Sequence, residues 1–289
     1  MPETELPIRA ATETLLAHGI KPDRCDILQN GSTLVVRLTE DLVVRVVQDL
    51  GGPRQTTEWF QRENALAEHL TRKRAPVIPL HEALPPGPHE HLGYGMNFWK
   101  FVTRIDAEPE PGEIGRTLAY CHELMRDFNV PLPKLAILTE ALEILESREL
   151  FPNHTQQMLM ERLKQSLDLL STCPHQPLHG DAHPGNLMNT TDGLLWTDWE
   201  DTFSGPVEWD LASLIWNAKI LDEDEDTVRA ILKGYHTVSK EIDPTILHQC
   251  LVARAAVMTA WYPILYPDPD SSRTEKLRRR IQWLETVDA

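Results

Sequence analysis

Asp181, Asn186 and Asp198 are the residues through which this chain could do chemistry, and their spacing suggests which chemistry. Asp181 lies on a loop, His179-Gly180-Asp181, and Asn186 follows it five positions later. Two apolar segments, Asn186 to Met188 and Leu194 to Thr197, flank a turn carrying Asp192 and Gly193, the pattern of a short hairpin. Such a hairpin brings Asn186 and Asp198 close together at its open end. Two oxygen ligands plus a third carboxylate suit a hard cation beside a group that accepts a proton. A zinc hydrolase is a rival, because His179, Asp181 and His183 alternate and His122 or His175 could join them. That reading gives Asn186 and Asp198 no task, and no H-E-x-x-H is present. Each aspartate taken singly could also be an ordinary loop or turn residue.

The elements that must hold these residues change character along the chain. Residues 7–18 read as a helix ended by Gly19, and Cys25 to Leu28 as a short strand. Gln29-Asn30-Gly31-Ser32 is a small-residue loop, open to two readings: a cover for a phosphate or a plain hairpin turn. From Thr33 to Val47 two strands run either side of a polar turn near Glu40 and Asp41. Arg45 falls inside the second, in Leu42-Val43-Val44-Arg45-Val46-Val47, where a charge is costly unless paired. The helix expected over Thr57 to Arg72 offers Glu58, Glu63 and Glu68 as candidate partners. Pro76 to Leu80 and Tyr94 to Val102 would complete the sheet, and Leu84 to His91 would be a surface loop. Beyond Asp106 the pattern turns helical, over 112–126, 135–148, 155–170, 211–220, 228–235, 246–262 and 275–287. Asp222 to Asp226 is an acidic run that fits a helix start or an attraction for a cation. Trp261, Tyr262 and Tyr266 would be packed core or the lining of a substrate cleft.

The ordered set resembles the aminoglycoside phosphotransferase and choline kinase group, small-molecule relatives of the protein kinases. The resemblance rests on His179-Gly180-Asp181 with Asn186, on Thr197-Asp198-Trp199, and on Gly205-Pro206 followed by Asp210-Leu211-Ala212. It implies a two-lobed, protein-kinase-like α+β fold. Residues 1–102 would form a small antiparallel-sheet lobe for the nucleotide, and residues 103–289 a helical lobe with the catalytic loops and acceptor site. The implied reaction moves the γ-phosphoryl group of ATP or GTP to a hydroxyl of a small molecule. Asp181 would be the base, with Asn186 and Asp198 holding Mg2+. Gly31, Ser32 and Arg45 would grip the phosphates, with Glu63 behind Arg45. The backbone at Thr103 and Ile105 would meet the adenine. His179, Glu200 and Asp210 would support these groups, Asp210 by bracing the catalytic loop, unless Glu200 instead binds a substrate amine. In this family a Lys usually stands where Arg45 stands, so a protein that holds nucleotide without turnover is a further rival.

The bulk numbers narrow the partners. Among 289 residues, 44 acidic and 28 basic side chains give a net charge of −16, which argues against a nucleic-acid binder and either favours cationic or metal-bound partners or serves solubility alone; with the resemblance it makes a cationic aminoglycoside-like or amino-alcohol acceptor the expected class. The four cysteines show no C-x-x-C spacing, which suits a reducing compartment. The start Met1-Pro2-Glu3-Thr4-Glu5 lacks the basic and apolar regions of a signal peptide, and no apolar run is long enough for a membrane helix. A soluble, cytoplasmic protein is expected.

Overall fold

The structure, a computed structural model, describes residues 4–31, 33–48, 58–239 and 242–287. Its chain divides into two compact units, one from Met1–Glu108 with Met188–Glu200, the other from Pro109–Leu187 with Asp201–Ala289.

The first unit is built on a five-stranded antiparallel sheet. Helix α1 (Glu5–Ala17) precedes β1 (Asp26–Asn30), β2 (Thr33–Arg37) and β3 (Leu42–Val47); α2 (Glu58–Arg72) precedes β4 (His89–His91) and β5 (Tyr94–Lys100). The strand order is β1-β2-β3-β5-β4. Alternation assigns the two faces. Leu34 and Val36 of β2, Val44 and Val46 of β3, and Met96 and Phe98 of β5 pack with Ala10, Ala11 and Leu15 of α1. Arg45 therefore points to the opposite face, where its neighbour in register on β5 is Asn97. Helix α2 buries Phe60, Glu63, Asn64, Leu66, Ala67 and Leu70, a stripe at helical spacing that includes two polar residues.

Two expectations for this unit are corrected. Pro76 to Leu80 is not a strand of the sheet: it makes single bridges, Val77 to Trp196 and Leu80 to Trp99. Pro76 and Pro79 have no N–H to give a ladder. The stretch read as a surface loop ends in β4, which pairs with β5 through a two-residue turn. Leu92 and Gly93 take φ of 51° and 80° there, the left-handed pair such a turn needs. Leucine is a poor sequence signal for that conformation.

The second unit is mainly helical: α3 (Pro111–Met125), α4 (Ala136–Ser147), α5 (Asn153–Leu170), α6 (Glu208–Trp216), α7 (Glu225–His236), α8 (Pro244–Ala260), α9 (Tyr262–Leu265) and α10 (Ser271–Thr286). Between α5 and α6 lie β6 (Gln176–Pro177), the hairpin β7 (Leu187–Thr190) and β8 (Gly193–Trp196), and β9 (Ser204–Gly205), with β6 paired to β9. All of that hairpin past Leu187 belongs to the first unit. A π-helical turn, Asn217–Asp222, follows α6, where a continuous α-helix to Ile220 was expected. Helices α3 and α7 approach so closely that a Cβ on Gly234 would lie 1.9 Å from Gly112 O. Helix α8 is buried on nearly every side, from Leu247 to Ala260. Among the described residues no helix is long and apolar enough to cross a membrane.

Candidate active site

In the first unit, one guanidinium gathers three carboxylates. Arg45 Nη1 lies 3.0 Å from Glu63 Oε1 and 2.9 Å from Asp198 Oδ1, and Nη2 donates to Glu200 Oε2. Asn97, across the ladder from Arg45, donates from Nδ2 to Glu63 Oε2 at 3.2 Å. Both oxygens of the fully buried Glu63 are thus held. Glu58 is exposed and Glu68 half-buried, so the α2 carboxylate at Arg45 is Glu63.

The electrostatics follow from the count. Burial raises the Glu63 pKa, Arg45 opposes this, and Asp198 and Glu200 add to it; the outcome is about 8. For Arg45 burial works against the charge, but Asp198, Glu63 and Glu200 outweigh it and hold its proton more tightly than usual. With Glu63 protonated below its pKa of about 8, Asp198 and Glu200 against one guanidinium leave one negative charge, and carboxylate oxygens of this kind suit a hard cation. Asp198 itself has φ of 65°, a left-handed conformation that Asp tolerates better than most residues, and one found often at functional positions.

The second unit carries the loop of Asp181. Gly180 has φ of +88°, and a Cβ there would lie 1.9 Å from Asp201 O, so the turn admits only glycine. Asp210, fully buried at the start of α6, braces this turn. Its Oδ2 accepts from His179 N–H at 2.7 Å and its Oδ1 from Gly180 N–H at 2.9 Å. Oδ2 also lies 2.9 Å from His122 Nε2, while His122 Nδ1 lies 2.7 Å from Tyr235 Oη. Trp209 Nε1 donates to Gly180 O at 2.7 Å.

Asp181 is a quarter exposed and is held by its own partners. Arg254 of α8 donates from Nη2 to Oδ1; Oδ2 lies 3.5 Å from both His183 Nε2 and Asn186 Nδ2. Burial works against the carboxylate, but the charges of Arg254 and then His183 overcome it and lower the pKa to about 2. Asn186 gives Nδ2 to Asp181 O at 3.0 Å, so its remaining polar atom, Oδ1, is a hard oxygen donor.

The histidines are spent elsewhere. His179 Nδ1 accepts from Asp181 N–H at 3.3 Å, His183 Nδ1 from Gly185 N–H at 2.9 Å, and His175 Nε2 meets Leu170 O at 2.8 Å. Among the described residues no three His, Cys, Asp or Glu side chains form a metal-holding group, so the zinc reading has no ligand set.

At the expected adenine contact, Ile105 N–H donates to Asn189 O at 2.8 Å and Thr103 O accepts from Thr191 N–H at 3.1 Å. These two backbone groups serve β7 and the turn after it. Gly31 is exposed, its N–H donating to Thr33 O at 3.1 Å, and Ser32 lies outside the described residues. Sequence reasoning missed Arg254 and Asn97, and offered His122 only as a zinc ligand. Arg254 carried a signal: it is a lone charge in Leu251-Val252-Ala253-Arg254-Ala255-Ala256-Val257, the same anomaly that marked Arg45.

A family model described as the phosphotransferase enzyme family matches residues 14–245. A thiamine kinase of Escherichia coli is 26% identical over 220 residues, covering 74% of this chain and 70% of that protein. Amicoumacin kinase hAmiN, solved with AMP-PNP, Ca2+ and Ami, aligns with a TM-score of 0.73 at 14% identity, over 98% of this chain and 95% of that one. Choline kinase LicA of Streptococcus pneumoniae aligns with a TM-score of 0.68 at 15% identity, over 96% and 98%. At such identities the solved structures speak for the fold alone, the protein-kinase-like α+β fold of a sheet-based part and a larger helical part.

Proposed function

The chain belongs to the phosphotransferase enzyme family and is a small-molecule kinase with a hydroxyl acceptor; on that premise we propose that it moves the γ-phosphoryl group of ATP or GTP, with Mg2+, to a hydroxyl of a small molecule. Residues 1–102 supply the nucleotide-binding groups, Gly31 and Arg45 with Glu63 behind it, and residues 103–289 the catalytic loops and the acceptor contacts. The observation that carries the reading is the state of Asp181. Arg254 keeps it ionised and occupies Oδ1, so Oδ2 orients the acceptor hydroxyl and takes its proton. Asn186, through Oδ1, and Asp198 are the metal ligands, and Mg2+ when bound supplies neutralisation of the phosphate charge. The surplus negative charge that Asp198 and Glu200 leave at Arg45 supports a cation beside Asp198, and the AMP-PNP and Ca2+ of hAmiN support nucleotide and metal use. Asp210 and His179 keep the Asp181 turn in shape, and Glu200 holds Arg45 from the side away from Glu63.

The test is acceptor-dependent ADP or GDP release with Mg2+ across amino-alcohols, aminoglycosides, sugars and sugar acids. The cationic members of that panel carry the class that the net charge favours. Asp181→Asn lowers kcat by about 10²–10⁴, the span of a general base, while nucleotide affinity by calorimetry holds. Parental turnover by Asp181→Asn overturns the assignment.

A further inference from the structure

The second unit buries another guanidinium. Arg280 of α10 is 7% exposed, and among the described residues no carboxylate pairs with it. Its contacts are Met258 O, 3.4 Å from Nη1, and two ring faces, Trp216 at 4.8 Å and Tyr262 at 5.5 Å. Its Nε finds no hydrogen-bond partner, and neither do the buried Tyr262 Oη and Ser213 Oγ. Ser213 shares one side of α6 with Trp209 and Trp216 by helical spacing. Arg254, the partner of Asp181, sits over Trp209 at 5.7 Å and also leaves its Nε unpartnered.

Unspent buried groups of this kind call for an explanation, and a buried charge without a partner is the costliest. Guanidinium nitrogens only donate, and both hydroxyls can donate. What would satisfy them is a ligand rich in acceptor oxygens and negatively charged. The aromatic faces are no cage for an ammonium, since Arg280 already covers Trp216 and Tyr262. The nearby acidic run does not offer a cation site either. Asp224 caps α7 by accepting from Thr227 N–H at 3.0 Å; Glu223, Glu225 and Asp226 pair with Arg279, Lys219 and Arg229 at 3.1, 2.5 and 3.2 Å. The π-helical turn directly after Trp216 is a feature that recurs at functional sites.

We propose that Arg280 and Tyr262 form a subsite for an oxyanion carried by the acceptor, a carboxylate or phosphate monoester on a small polyol. The inference rests on the phosphotransfer reading and names its substrate class, in place of the cation that net charge favours. Guanidinium matches either oxyanion through paired N–H donors.

Calorimetry without nucleotide tests it, with D-gluconate and glucose 6-phosphate as anionic probes, D-glucitol as the neutral one and D-glucamine as the cationic one. The protein binds at least one anion about tenfold or more tightly than glucitol and glucamine, the gain of one charge-assisted hydrogen bond set. The tighter anion identifies carboxylate or phosphate. Arg280→Met removes the preference and Arg280→Lys keeps part of it. Tyr262→Phe weakens the anion without lowering Tm, because that hydroxyl has no partner to lose. Glucamine binding as tightly as the anions, no binding of either anion, or a preference that survives Arg280→Met each overturns the subsite. Nucleotide affinity and turnover, read on the same protein, stand apart. Their loss beside an intact anion preference overturns the phosphotransfer reading alone; their presence without that preference overturns only the subsite.

Discussion

Arg254 donates from Nη2 to Oδ1 of Asp181, across 73 positions of sequence, and so fixes one oxygen of the proposed base. Replacing it by Met keeps the stem's packing and removes the charge. The Asp181 pKa, lowered to about 2 by Arg254 and His183 against the effect of burial, then rises. A group with a depressed pKa stays ionised as pH falls until that low value is reached. The parent therefore shows no acid limb from Asp181 above about pH 3, while Arg254→Met gains one above the ordinary carboxylate value of about 3.9. Its kcat at neutral pH falls by about tenfold or more through misplacement, with nucleotide affinity unchanged. A kcat–pH profile from pH 4 to 8 that matches the parent's would show that Arg254 does not hold Asp181.

Glu63 gives a stability prediction of the opposite sign. Its pKa in the folded protein, about 8, stands above the ordinary 4.5, so between those values the folded state holds a proton that the unfolded chain has released. Its contribution is fully present below about pH 4.5 and is lost as pH rises through 8. Glu63→Gln removes that dependence. Between pH 5 and pH 9 the Tm of Glu63→Gln should gain on the parent's, and the gap should narrow when Mg2+ is added. Parallel Tm profiles for the two proteins contradict the assignment.

Arg45 has three partners, and a single ammonium cannot reproduce all of them. Arg45→Ala leaves Glu63 Oε1 buried without its donor and Asp198 and Glu200 without their cation, a loss of about 1–3 kcal/mol for the unsatisfied buried group. Arg45→Lys restores the charge but not the two-sided reach to Glu63 and Glu200. The expected order of stability and of nucleotide affinity is parent, Lys, Ala. Chemical denaturation and calorimetry read the two quantities, and equal values in all three would make Arg45 an ordinary strand residue.

How much of this was readable beforehand depended on distance along the chain. Asp181, Asn186 and Asp198 lie within one short stretch, so their order carried the signal. Arg45 was found because a charge in an apolar strand demands a partner, and Glu63 because Arg62-Glu63-Asn64-Ala65-Leu66-Ala67-Glu68-His69-Leu70 resembles the helix motif of the family. The helices of the second unit announced themselves by apolar periodicity. Arg254 and Asp181 meet only through tertiary packing, and nothing local couples them. The β4 hairpin escaped because Leu92 adopts a turn conformation that favours Gly or Asn. The backbone at Thr103 and Ile105 was assigned by position alone, and main-chain pairing with β7 and its turn leaves no trace in side-chain identity.

Asp210 is the last residue whose role can be separated from its neighbours. It accepts two backbone N–H groups, from His179 and Gly180, and lies against His122 Nε2, all without exposure to water. Asn in its place has one accepting oxygen and one NH2, so a donor must face a donor on one side of the turn. Hydrogen bonds to a charged group contribute about 1.5–3 kcal/mol, and Asp210→Asn loses on that order. The turn it loosens carries Asp181, so kcat falls with the stability while nucleotide affinity, built on the other unit's groups, does not. His122→Phe is the comparison. It removes one donor but leaves both backbone contacts of Asp210, and gives a smaller loss in both readings. Urea unfolding and steady-state kinetics on the two variants decide the matter. If His122→Phe proves as damaging to kcat as Asp210→Asn, the brace acts through the imidazole and Tyr235 behind it, not through the carboxylate's grip on the turn.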